Sequence, residues 1–120
     1  MGIFDKLFRS TETKSTEFDA REAVLIHLDG TGLSDSVYDE CDLMTLENQL
    51  ITALGPKGEV DGNEIGEGVT TLFLYGPDSE AMYAAIEPVL VSYPLCQNAR
   101  IDIRKGLPNN ENASQRTIQL

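Results

Sequence analysis

Two short runs constrain the fold of this chain more than any other feature. Residues 23–28 (AVLIHL) and 69–75 (VTTLFLY) carry apolar or β-branched side chains at nearly every position, not at every second one. Runs this short suit strands covered on both faces, since a buried helix needs about ten residues or more. Asp29-Gly30-Thr31-Gly32 closes the first run as a turn. Between the runs, Leu43, Leu46, Leu50, Ile51 and Leu54 form one helical stripe. Asp42 stands where an N-cap belongs, and Gly55-Pro56 stands as the stop.

The second run follows a polar, glycine-interrupted stretch, GEVDGNEIGEG. The short Gly66-Glu67-Gly68 link predicts a hairpin. Gly76-Pro77 then turns the chain into a second helix capped by Asp78, with Met82, Ala85, Ile86, Val89 and Leu90 at helical spacing. Pro88 cannot donate to the Ala84 carbonyl, which predicts a kink there or a restart of the helix. Residues 99–104 alternate Ile101 and Ile103 inward with Arg100, Asp102 and Arg104 outward. Residues 107–114 read as a polar loop and residues 116–120 as a short last strand that pairs with either sheet edge.

The expected fold is α+β: a ferredoxin-like βαββαβ antiparallel sheet with helices on one face, plus the extra C-terminal strand. In that topology the first and third strands lie at the centre, and these are the two runs that are apolar on both faces. Residues 21–120 would form this single domain, and residues 1–20 an amphipathic tail and polar linker. On the open face either Val24, Ile26 and Leu28 or Ala23, Leu25 and His27 are presented, and likewise either Thr70, Leu72 and Leu74 or Val69, Thr71, Phe73 and Tyr75. Either choice leaves an apolar patch, which soluble monomers seldom expose without a partner.

Charge narrows the partners. The formal net charge is −11, and residues 22–99 hold fourteen acidic residues against one base, Lys57. A body this anionic repels nucleic-acid backbones and anionic membranes and favours cationic ligands. The candidate partner-binding residues are Asp35, Asp39, Glu40, Asp42, Glu59, Asp61, Glu64 and Glu67, expected to ring the patch. No apolar window reaches eighteen residues, and two cysteines, Cys41 and Cys96, make no disulfide framework, which places the chain in the cytoplasm. At the start, Ile3, Phe4, Leu7 and Phe8 share one helical face, so residues 1–9 are a candidate docking tail for a membrane or a partner.

Catalytic and metal patterns fail residue by residue. His27 is the single histidine and lies inside the first apolar run with no cysteine or second histidine at ligand spacing, so a satisfied sheet histidine is the expectation. Cys41 stands among Asp39, Glu40 and Asp42, a poor setting for an anionic nucleophile. Residues 61–66 (DGNEIG) begin like a calcium loop, but Ile65 and Leu72 occupy positions that require oxygen ligands. The glycines at 58, 62, 66 and 68 lack a phosphate-loop lysine and stand among carboxylates. No cofactor and no enzyme activity are expected.

Two resemblances add to this. The opening MGIFDKLF resembles the amphipathic start of glucose phosphotransferase IIA components, which implies membrane contact by those eight residues. Residues 58–90, GEVDGNEIGEG and then TLFLYGPDSEAMYAAIEPVL after Val69 and Thr70, resemble a pattern in small uncharacterised bacterial proteins. That likeness implies a hairpin-plus-helix unit and assigns no catalytic residue. The functional expectation is a non-catalytic acidic protein-binding module, most concretely an immunity-type inhibitor of a basic protein. The alternative is a self-associating regulatory or small-ligand-sensing domain, with the open faces meeting as a homodimer.

Overall fold

The computed structural model describes residues 22–106 and 114–120. The expected tail and most of the expected polar loop lie outside them. Five strands, β1 (Glu22–Asp29), β2 (Glu59–Ile65), β3 (Val69–Gly76), β4 (Arg100–Lys105) and β5 (Ser114–Gln119), form one antiparallel sheet in the order β2-β3-β1-β4-β5. The two apolar runs are the interior strands β1 and β3, as their composition requires. The last strand pairs with β4, so the choice between the two edges is settled.

Among the described residues three α-helices, not two, accompany the sheet. The connection after β1 holds a six-residue helix, α1 (Asp35–Glu40), before α2 (Leu43–Leu54) begins at Asp42, whose carboxylate accepts from the Thr45 amide at 2.7 Å. α1 buries no residue, so it leaves no apolar period in the sequence. The other helix, α3 (Ser79–Ser92), runs without a restart through Pro88. Ala84, whose carbonyl loses its partner there, is exposed, and water can take the place of the missing N–H.

The core lies on one face of the sheet. Val24, Ile26, Leu28, Leu72, Leu74, Ile101 and Ile103 are buried against Leu46, Leu50 and Leu54 of α2 and Met82, Ile86 and Leu90 of α3. Three polar ties close the frame. Glu22 accepts from the Ser79 amide (2.8 Å), the Ser79 hydroxyl (3.0 Å) and the Gly106 amide (2.7 Å), joining the start of β1 to α3 and to the end of β4. Arg116 of β5 makes a two-pronged pair with Glu80 of α3 at 2.7 and 2.9 Å and stacks 5.8 Å from the Tyr83 ring centre. Asp78 caps α3 by accepting from the Glu80 and Ala81 amides, both at 3.1 Å. Asp78→Ala leaves those two donors to water alone, and urea unfolding is expected to show a loss of about 1 kcal/mol.

Two expectations need correction. The first strand is not buried on both faces along its length: Val24, Ile26 and Leu28 face the core, Ala23 is buried on the opposite side, and Leu25 and His27 are half-buried there. Nor is the outward face of β4 simply exposed, because Asp102 is only 7 % accessible. The physical reason is a line of hydrogen bonds that covers it.

Candidate functional site

The alternation settles which side chains stand on the open face. Cross-strand registers arrange them in three rows. One row holds Glu64, Thr71, His27, Arg100 and Gln119. The next holds Gly62, Phe73, Leu25, Asp102 and Thr117. The third holds Glu59, Tyr75, Ala23, Arg104 and Gln115. The apolar patch is therefore small, centred on Leu25, Phe73 and Tyr75. Glu59 and Glu64 flank it on the β2 side, and Arg100 and Arg104 stand on the β4 side with the nearly buried Asp102 between them. Four of the five cations among the described residues, Arg100, Arg104, Lys105 and Arg116, lie on β4 and β5, opposite fifteen carboxylates carried mostly elsewhere.

His27 is the centre of a polar chain across this face. Its Nδ1 lies 3.0 Å from the Thr71 hydroxyl and its Nε2 2.9 Å from Asp102 Oδ2. Asp102 Oδ1 accepts from the Thr117 hydroxyl at 2.8 Å, and Arg100 stands 3.6 Å from Oδ2. Burial pushes the Asp102 carboxyl upward, but the Thr117 hydroxyl, His27 and Arg100 outweigh it and hold the group below the ordinary aspartate value. An ionised Asp102 only accepts, so Nε2 of His27 carries a proton and Nδ1 is left to Thr71.

This constellation has the outline of an acid–base–hydroxyl relay, yet it lacks the remaining parts of one. β3 is paired on both sides, so backbone donors beside Thr71 are engaged in the ladders and form no oxyanion hole. The described residues contain no group of three or more His, Cys, Asp and Glu side chains that could hold a metal. Cys96 is buried, and desolvation pushes its thiol up to about 12, which makes it an inert packing residue.

The eight candidate carboxylates do not ring the open face. Asp35, Asp39 and Glu40 lie on α1, Asp42 at the start of α2, Glu64 near the end of β2, and Glu67 in the hairpin. These six share one end of the sheet, where β1 finishes at Asp29, because β1 and β2 run parallel to each other with β3 between them. Glu59 and Asp61 lie toward the other end, and Asp61 sits at the bulge between Val60 and Gly62. All eight are exposed.

The Asp29 end is held rigidly. Asp29 accepts from the Thr31 amide (3.0 Å), the Gly32 amide (2.8 Å) and Asn98 (3.3 Å), which lower its carboxyl from the usual value. Tyr38 of α1 donates to the Asp29 carbonyl at 2.9 Å and accepts from the Leu33 amide at 3.1 Å, fixing α1 against the end of β1. Tyr93, after α3, donates to the Asp42 carbonyl at 2.9 Å and brings the start of α2 beside the end of α3. Gly68 adopts a left-handed φ of 72° to close the hairpin, and its carbonyl accepts from the Gly30 amide at 2.9 Å.

Exposed apolar residues gather at this same end. Of the five large hydrophobic side chains that remain well exposed among the described residues, four are here: Met44 (71 %) in the first turn of α2, Ile65 (72 %) and Val69 (43 %) on either side of the hairpin, and Val91 (69 %) in the last turn of α3. A groove of about 570 Å³ lined by Val91, Tyr93, Pro94, Asn98 and Leu120, and a smaller cleft of about 260 Å³ between His27, Val69, Asn98 and Arg100, open beside them. Sequence patterning places Ile65 and Val91 in ordinary strand and helix positions; only their exposure in the folded chain marks them out. No family model, no curated protein and no solved structure matches this chain.

Proposed function

We propose that the chain is a non-catalytic protein-binding module whose Asp29 end receives a basic partner. The observation that carries this is the convergence of six exposed carboxylates and four of the five exposed large hydrophobic residues at one end of the sheet. Apolar contacts supply affinity, while surrounding carboxylates steer and orient a cationic surface. Arg104, toward the other end of the open face, discourages the same partner from sliding across it, and Arg100, at the β4 corner of the partner end, stands 3.6 Å from Asp102. An immunity-type inhibitor, which must recognise a basic protein quickly and without chemistry of its own, is the concrete form of this reading. The ferredoxin-like description of the fold belongs with it: β1 and β3 lie between β4 and β2, while β5 and α1 are additions to a βαββαβ unit. Free cysteines fit a reducing cytoplasm, and no helix among the described residues is long and apolar enough to cross a membrane.

Capture from extract on the immobilised chain, compared across variants, tests the reading. A basic protein is expected to be retained at low salt and to be lost at least tenfold by Asp35→Lys/Asp39→Lys/Glu40→Lys. Ile65→Asp is the sharper arm, because it makes the chain more acidic while removing an apolar contact. Indiscriminate attraction of cations would rise in that variant, whereas docking at this end would fall. Retention of the same proteins by the native chain and both variants, or of no basic protein at any salt, overturns the proposal.

A further inference from the structure

Of the two aligned ways in which two copies can meet face to face, the open face has a charge pattern complementary to itself in one. Glu59 and Glu64 lie along β2 at one side, Arg100 and Arg104 along β4 toward the other with Asp102 almost buried between them, and Leu25 stands on the central strand. Two copies meeting face to face with their strands aligned are related by a two-fold axis lying between the sheets, either along the strands or across them. An axis across the strands would set Glu64 opposite Glu59 and Arg100 opposite Arg104, so like charges would meet on both sides. An axis along β1 keeps each row facing its own counterpart with left and right exchanged. Glu64 of one copy then comes within reach of Arg100 of the other, twice by symmetry, and Leu25 packs on Leu25 at the axis.

We propose that this face is the interface of a homodimer whose two-fold axis runs along β1. Five strands at about 4.8 Å and six residues at about 3.3 Å make a face on the order of 500 Å² per copy. The total, about 1,000 Å², lies at the lower bound for specific association, so the dimer is reversible and concentration-dependent. This orientation has a consequence for the proposed partner site. An axis along the strands leaves both Asp29 ends pointing the same way, so the dimer presents two acidic, apolar ends side by side and binds a basic partner bivalently.

Sedimentation of the intact chain over a wide concentration range tests the dimer without reference to any partner. A monomer–dimer equilibrium that weakens with added salt is expected. Glu64→Arg and Arg100→Glu should each weaken association about tenfold or more, since each reverses two symmetric contacts. The double variant Glu64→Arg/Arg100→Glu should restore it, an outcome that damage to folding cannot mimic. Glu64→Gln, which removes the charge at an exposed position without reversing it, supplies a milder arm that is expected to weaken the dimer in a native-like chain. A chain that stays monomeric at every concentration overturns the proposal. So does a dimer indifferent to the single changes or not restored by the double one. Either result leaves the capture experiment standing on its own terms.

Discussion

Asp102→Ala is expected to lower stability by about 3 kcal/mol at neutral pH, a large share of what a chain of this size possesses. The carboxylate is the common acceptor for the Thr117 hydroxyl at 2.8 Å and His27 Nε2 at 2.9 Å, with Arg100 alongside. Its removal strands the half-buried imidazole N–H of His27 on the central strand β1, where water has limited access, while the Thr117 hydroxyl on the edge strand β5 is exposed and turns to water. The effect carries a pH signature. The folded carboxyl lies below its unfolded value, so its contribution is complete above about pH 4, the ordinary aspartate range, and is lost as pH falls through the folded value. Glu22, whose burial is outweighed by the Ser79 and Gly106 donors and by Lys105, shifts in the same direction. Urea unfolding of the native chain and Asp102→Ala at neutral pH and near pH 3 measures this directly. The gap between them should narrow in acid. A gap that is constant with pH would mean that side-chain volume, and not charge, is what Asp102 supplies.

That pair also shows where sequence reasoning stops. His27 and Asp102 are 75 residues apart, and their contact is diagonal, since His27 stands opposite Arg100 and Asp102 opposite Leu25. A periodicity of two places Asp102 outward correctly but says nothing of what leans over it. The interior placement of β1 and β3 was legible because both runs are apolar or β-branched at nearly every position, and the Asp42 and Asp78 caps were legible because capping is local. α1 was not, since a six-residue helix with no buried residue has no stripe to read. The gathering of carboxylates at one end has a signal in the order of the elements. Strands β1 and β2 of such a unit are parallel, so whatever follows each of them meets at the same end. Asp35, Asp39, Glu40, Glu64 and Glu67 all follow, or nearly finish, one of those strands. The exposure of Met44, Ile65 and Val91 had no such signal, because it depends on which neighbours fail to cover them.

Gly76→Ala is the second large effect, expected to destabilise the chain by about 3 kcal/mol through overpacking. Gly76 ends β3 and is fully enclosed where the strand passes beneath the connection from α2 to β2. A methyl group there would overlap the Lys57 carbonyl oxygen and would come within 2.8 Å of Met82 Sδ and 3.1 Å of the Gly58 Cα. The methionine can move, but the carbonyl and the Gly58 backbone belong to the turn that launches β2, so the strand or the turn must yield. Gly62→Ala is the matched control. Gly62 lies on the bulge of β2 with no atom within 4 Å of a methyl group built on it, so a change within about 0.5 kcal/mol is expected. Equal losses for the two variants in urea unfolding would show that glycine's backbone freedom sets the cost at both sites. A loss confined to Gly76→Ala locates it in the close crossing that carries β2, and with it Glu64 and the hairpin, into place against β3.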